Sequence, residues 1–561
     1  MIRRGGIYAY LLLGVTVAAA GQTRDQNWDK CKADDPDTSI AGCTALIQSG
    51  QESPADLATA YFDRGIAHRD KKEYDLALQD LDQALKLKPE FSGALNTRGN
   101  VYADMGETDR AIADYNDAIR LDPNYALAYY NRGNAYGDKK EWDKANADYD
   151  QYVKLAPADP DGFNNRGHAY MMKGDFDRAL EDFRAALKID PNHPLATYNT
   201  GVTESDKNEY AQAVTAFTRY IALKPDDPDG YESRGNAYRH QGQYDEAIAE
   251  YNHALQVKPD YSLAYYYRGL TQGLEGEYDA AIADLNKYVD MEPKDSDGFA
   301  VRGLEYFEKG QYAPSIADFD KALELQPNRA YAFLERGSAH YLAGQTSQAA
   351  ADFELAIGAD PSTSTAVYAA LWLHLTKARL HQAGNEELQR VAQKANLSIW
   401  PGPVLKFYLG QSTEVDLMAA AADPDPQTHV GRACEVNFYE GEDALAHQKR
   451  TTAVARFHAV QGSCIKDYIE YGGALAELKQ MAAPAAPAKT STPPAKKTPA
   501  PAIAAKGGIK TEERDKASGA ATPETPARAS NTPPKAAVPS RPEMGGTQLE
   551  DRAEELGAAA R

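Results

Sequence analysis

The sequence predicts an all-α chain: a solenoid of stacked helix pairs, with a helical C-terminal cap and a disordered tail. Three observations carry that expectation. A 34-residue pattern recurs nine times without insertion over residues 58–363, and a fixed period of that size marks a stacked repeat array. Inside each copy, small, apolar and aromatic residues fall at helical spacing. Beyond Met481 the chain turns rich in Pro, Ala and Lys, a composition with too little apolar surface to fold.

With Gly99 at position 8 of the frame, glycine holds that position in all nine copies, from Gly65 to Gly337. Position 20 is alanine except at Ser315, position 24 is Leu, Tyr or Phe, and position 32 is proline from Pro89 to Pro361. Small residues let two helix axes approach while the aromatic fills the space beside them. The proline ends the second helix, because its ring cannot continue the hydrogen-bond ladder. One such pair cannot bury its apolar face alone, so neighbours must stack. This pattern resembles the tetratricopeptide repeat (TPR). The resemblance implies a right-handed superhelix of helix pairs whose concave groove takes protein or peptide clients.

A second period lies inside the first. Position 27 is Tyr152, Tyr220 and Tyr288 in alternate repeats, each followed by an acidic turn, "ADPDG", "DDPDG" or "KDSDG". The copied unit is therefore 68 residues. The turns lack the spacing and terminal Glu of a calcium loop, so Asp161, Asp229 and Asp297 are expected to be turn residues and helix N-caps. Position 7 is arginine and position 23 acidic in the same eight repeats, whereas the fifth repeat has Thr200 and Ala216. Loss of both together points to an ion pair between the two helices of one repeat.

In a TPR superhelix, positions 5, 9, 12 and 13 of the first helix face the groove. Here they include Asn96, Asn100, Asn134 and Asn164, suited to hydrogen bonds with a peptide backbone. Further on they turn apolar: Tyr266, Leu270, Leu274, Leu304, Phe307, Leu334, Tyr341 and Leu342. One reading makes these a client groove with Phe307 and Tyr341 as anchors. The other packs some of them against the next repeat or the irregular C-terminal segment. Only Arg239 stands where a carboxylate clamp would need several cations, so capture of a C-terminal carboxylate is not expected.

The flanks complete the organisation. Residues 1–20 read as a cleaved secretory signal: Arg3 and Arg4 precede the apolar run Ile7–Ala20, and Ala18 and Ala20 form the cleavage pattern. The run is too short for a comfortable bilayer span, so the mature protein is expected in the periplasm or otherwise exported, without stable membrane insertion. Residues 21–57 form an N-terminal cap. The chain's four cysteines are expected to pair as near neighbours, Cys31 with Cys43 and Cys434 with Cys464. In residues 364–481 further helices follow, then a last TPR-like unit with Gly441, Ala453 and Phe457 at positions 8, 20 and 24. In that unit Cys434 and Cys464 sit at the neighbouring ends of an antiparallel hairpin.

The stretches "LWLHLTKARL", "VLKFYLGQ", "CEVNFYEGE" and "YIEYGGALAEL" resemble the C-terminal half of the NlpI family of bacterial envelope lipoproteins. That resemblance implies a homodimer, with peptidoglycan hydrolases and a periplasmic protease as partners. This chain lacks the lipid-accepting Cys and has more repeats than that family.

Charge and motif absences bound the function. The net charge is −21, while the tail of residues 482–561 carries 12 basic and 9 acidic side chains, leaving −24 for the rest. No basic stripe supports nucleic-acid binding. No spacing fits a metal site, and no phosphate loop, nucleophile elbow or dinucleotide fingerprint occurs, so neither a cofactor nor catalysis is expected. The expectation is an exported, non-catalytic scaffold or adaptor. Its alternative is a structural protein tethered to the cell wall by its basic tail.

Overall fold

The computed structural model describes residues 23–382, 384–464 and 469–482, and these are helical with no strand among them. The expected signal and tail lie outside the described residues. The chain divides between Lys207 and Asn208 into two units.

In the first unit, α1 (Arg24–Cys31) and α2 (Pro36–Ser49) form the N-terminal pair. Four repeats follow: α3 (Pro54–Asp70) with α4 (Tyr74–Leu87), α5 (Ser92–Asp104) with α6 (Thr108–Leu121), α7 (Ala126–Asp138) with α8 (Trp142–Leu155), and α9 (Pro160–Met171) with α10 (Phe176–Ile189). Helix α11 (Pro194–Asp206) closes the unit. The first repeat helix begins four residues before the frame, where Ser53 caps it and Pro54 opens it.

The second unit starts at α12 (Tyr210–Leu223). It continues with α13 (Pro228–His240) and α14 (Tyr244–Val257), α15 (Ser262–Leu274) and α16 (Tyr278–Met291), α17 (Ser296–Glu308) and α18 (Tyr312–Leu325), and α19 (Ala330–Leu342) and α20 (Thr346–Ala359). Then come α21 (Ser364–Arg379), the short α22 (Glu386–Ala392), α23 (Gly402–Tyr408) and α24 (Glu414–Ala420), the hairpin α25 (Pro426–Ala446) and α26 (Arg450–Ser463), and α27 (Ile469–Ala482).

Within each unit the pairs stack as a solenoid, and the frame explains how. A Cβ placed on Gly99 would lie 2.5 Å from the Tyr115 ring, and one on Gly133 would lie 2.7 Å from Tyr149. Only glycine at position 8 admits the aromatic at position 24. The last unit repeats the device, with Gly441 2.6 Å from Phe457 by the same measure. The turn between helices places position 15 in the left-handed region throughout, as glycine at Gly106, Gly174, Gly242, Gly276, Gly310 and Gly344 and as Lys72, Lys140 and Asn208 elsewhere.

Both cysteine pairs are bonded, Cys31 to Cys43 with Cα atoms 4.5 Å apart and Cys434 to Cys464 with Cα atoms 5.2 Å apart. The first ties α1 to α2, and the second joins α25 to the end of α26; Cys434 lies inside α25, which starts at Pro426, and not at the helix end that the frame implies. No helix of the described residues is long and apolar enough to cross a membrane.

Candidate peptide-binding face

The eight arginines at position 7 are all consumed by the fold. Arg132 holds Asp148 with Nε and Nη2, at 2.8 and 2.6 Å, and Arg268 holds Asp284 likewise at 2.6 Å each. The remaining nitrogen, Nη1, reaches back to position 25 of the preceding repeat: Arg98 to Asp82, Arg132 to Asn116, Arg166 to Asp150. Each arginine therefore ties two helices of its own repeat and one of the neighbour. The acids are largely dry, Asp148 keeping 6% of its side chain exposed. Burial pushes the Asp148, Asp182 and Asp318 carboxyls above the usual range, against the downward pull of their arginines. In the fifth repeat, where position 7 is Thr200, the preceding position 25 is Arg184. An arginine at 200 would find a like charge there.

The acidic turns serve the alternate tyrosines. Tyr152, Tyr220 and Tyr288 donate to Asp159, Asp227 and Asp295, seven residues on. Those aspartates are the N-caps of α9, α13 and α17, accepting the backbone N–H of Asp161, Asp229 and Asp297. The cap expectation for Asp161, Asp229 and Asp297 is thus corrected: they sit inside the first turn. From there Asp161 accepts from His193 at 2.8 Å, and Asp229 and Asp297 accept from Tyr261 and Arg329. Glycine follows each of them because a Cβ on Gly162 would lie 2.5 Å from the Tyr152 ring.

The asparagines expected to hydrogen-bond a client are used internally. Asn100 accepts from the Tyr115 hydroxyl at 2.8 Å and Asn134 from Tyr149 at 2.6 Å. Position 6 of one repeat donates to position 5 of the one before, Asn131 to Asn96 at 2.9 Å, Asn165 to Tyr130 at 3.0 Å and Asn199 to Asn164 at 3.1 Å. This amide ladder stitches α5, α7, α9 and α11. Of the four predicted asparagines only Asn134 is half-buried; the others are buried.

The apolar set is corrected in the same way. Tyr266, Leu270 and Leu304 belong to the core of the second unit. Phe307, 6% exposed, stands edge-on to Tyr312. Leu334 and Tyr341 are core residues of the C-terminal part, Tyr341 edge-on to Trp372 with ring centres 5.0 Å apart and its face 4.1 Å from the Arg379 guanidinium. Phe307 and Tyr341 are therefore not exposed anchors. Phe307 is covered by Tyr312 of α18, and Tyr341 by Trp372 and Arg379 of α21. Leu274 and Leu342 remain half-buried, and Arg239 is buried beside the Tyr267 ring at 5.8 Å. Among the described residues no group of three or more His, Cys, Asp or Glu could hold a metal ion.

Family comparisons agree with the frame. A TPR repeat model matches residues 99–140, 235–276 and 303–344, and tetratricopeptide repeat models match 58–91, 126–159, 160–193, 216–249 and 263–295. Among solved structures, the chain is similar to YrrB, described as a TPR protein with an unusual peptide-binding site. The identity is 22%, over 34% of this chain and 97% of that one, with a TM-score of 0.30. MamA is 28% identical over 30% of this chain and 92% of its own, with a TM-score of 0.27. A tetratricopeptide repeat protein from Parabacteroides merdae ATCC 43184 is 20% identical over 44% of this chain and 98% of its own, with a TM-score of 0.37. The repeats matched along this chain are tetratricopeptide repeats.

Proposed function

We propose that the protein is an exported, non-catalytic adaptor of the bacterial cell envelope that gathers protein or peptide clients, cell-wall enzymes among them, on the first-helix face of its repeats. The observation that carries this reading is the set of tetratricopeptide repeats matched in segments between residues 58 and 344, a module that typically mediates protein–protein contacts. Two disulfides suit an oxidising compartment, and the 14-residue apolar run of Ile7–Ala20 behind two arginines suits export. The face open to a client is narrower than the full set of groove positions. It centres on half-buried side chains such as Asn134 in the first unit and Leu274 in the second.

The test is a photo-crosslinking residue placed singly at Asn134, Leu274 or Leu355, the last being 50% exposed on a second repeat helix. The full chain is then irradiated in envelope extract. Clients should crosslink from positions 134 or 274 and not from 355. Crosslinks from 355 alone would refute the assignment of the face.

The alternative, a structural protein tethered to the wall, draws on one observation: the lysine-rich stretch after Met481 belongs to a tail of net charge +3 on a chain of −21. Anionic polymer would attract such an arm.

A further inference from the structure

Helix α27 lies on residues that the repeat frame places in a client groove. A Cβ on Gly472 would stand 3.3 Å from Leu342, and one on Gly473 would stand 2.7 Å from Phe438 and 3.4 Å from Trp372. The helix thus uses a glycine pair to lie against an aromatic floor formed by Tyr341, Trp372 and Phe438. Glu477, further along α27, reaches Arg379, which covers the Tyr341 ring. Arg450 donates to the carbonyl of Met481 at 2.6 Å and fixes the far end.

At its near end the docking buries acid without a cation. Glu470 of α27 and Glu435 of α25 are 3% and 4% exposed. Glu470 accepts the Tyr439 hydroxyl at 3.2 Å, and Glu435 accepts the Trp400 indole N–H at 3.0 Å and the Tyr368 hydroxyl at 3.2 Å. The cations of the surrounding elements are engaged by other acids. Lys377 of α21 pairs with Glu354 and Glu387, and Arg379 with Glu442 and Glu477. Arg432 of α25 pairs with Asp423, and Arg456 of α26 with Glu414 and Glu440. Lys479 of α27 is exposed. Among the described residues neither Glu435 nor Glu470 has an ion pair.

We propose that α27 is an internal ligand of the aromatic floor at the ninth repeat, released as pH rises, and that the floor then takes a partner's helix of the same chemistry: a pair of small residues followed one turn later by a glutamate. The occupant is argued from α27 itself, which shows what the floor accepts. The inference rests on the adaptor reading for its use but not for its test.

The direction follows from linkage. Burial and the neighbouring Glu470 raise Glu435, against the downward pull of its Trp400 and Tyr368 hydrogen bonds and of the Arg432 charge, and burial raises Glu470, while nearby Glu440 and Glu442 are pushed up to about 7, chiefly by burial. A carboxyl whose docked pKa is raised holds a proton that the released state gives up above its ordinary value of about 4.3. Docking is therefore unopposed at acid pH and weakens through neutrality.

Amide exchange of the full chain, corrected for intrinsic rates, is measured at pH 5.5 and 8.5 without any client. Protection of α27 is expected to fall at least tenfold while α25 keeps its own. The double variant Glu435→Gln with Glu470→Gln should erase that pH dependence; if it fails to fold, Glu470→Gln alone should at least halve the logarithmic fall. A labelled peptide of residues 469–482 carrying Glu470→Gln, whose own docking buries one acid fewer than α27 does, should bind the wild-type chain more tightly at pH 8.5. Protection of α27 that ignores pH, a fall shared equally by α25, or variants that keep the full dependence would each overturn the latch. A peptide that binds equally at both pH values would overturn the exchangeable floor. Crosslinking at Asn134 or Leu274 can succeed or fail independently of all these outcomes.

Discussion

Every tyrosine at position 24 shares its repeat with an asparagine at position 9: Tyr115 with Asn100, Tyr149 with Asn134, Tyr251 with Asn236. Where position 24 is Leu or Phe, position 9 is Ile66, His168, Val202, Leu270, Leu304 or Ser338. A buried hydroxyl must find an acceptor, and this correlation was present in the sequence as plainly as the arginine–acid one. It was obscured because position 9 belongs to the groove by frame geometry, which assigns a direction but not a neighbour. Tyr149→Phe should therefore cost about 1 kcal/mol, from the lost hydrogen bond with Asn134, read as a shift in the urea midpoint. The same change at position 24 is already native in the fourth repeat, as Phe183. Arg132→Met should cost more, about 2–3 kcal/mol, because it strands Asp148 nearly dry. The sequence pairs position 7 with position 23 but shows no burial, and burial is what separates this cost from the small one of an exposed pair.

At the scale of elements, the 34-residue frame was legible because one packing solution recurs. Gly at position 8, the aromatic at 24 and Pro at 32 each answer a steric demand that holds in every copy. The turn at position 15 supplies a stabilising substitution. Lys140 has φ +58°, a region that costs a side-chain-bearing residue about 1 kcal/mol relative to glycine. Lys140→Gly should raise stability by about 0.5–1 kcal/mol, whereas Gly106→Lys should lower it by a similar amount, both read from denaturant midpoints. The acidic turns were legible as turns but not in their detail. Whether the first or the second acid of "DPD" caps the helix depends on where Tyr152 points, and periodicity carries no such direction.

Across the whole chain, legibility falls where repetition stops. The helices after Thr363 follow from local pattern, and the Cys434–Cys464 pairing from hairpin geometry. The docking of α27 does not, because Gly472, Gly473 and Ala474 give no apolar stripe; their value lies in the size of what they face. The pairing of Cys434 with Cys464 closes a separation of 30 residues, for which loop entropy gives about 3–4 kcal/mol. Cys434→Ala with Cys464→Ala should thus lower the melting temperature of the C-terminal transition while leaving the first unit's transition in place. The central claim is that the repeats, and not the tail, hold the clients. Its most direct measurement is affinity capture from envelope extract by the full chain and by a chain ending at Ala482, compared by quantitative mass spectrometry. The adaptor account predicts the same clients at the same yield from both. Loss of the captured proteins, together with loss of wall association, on removing residues 483–561 would contradict it and leave the wall-tethered structural protein in its place.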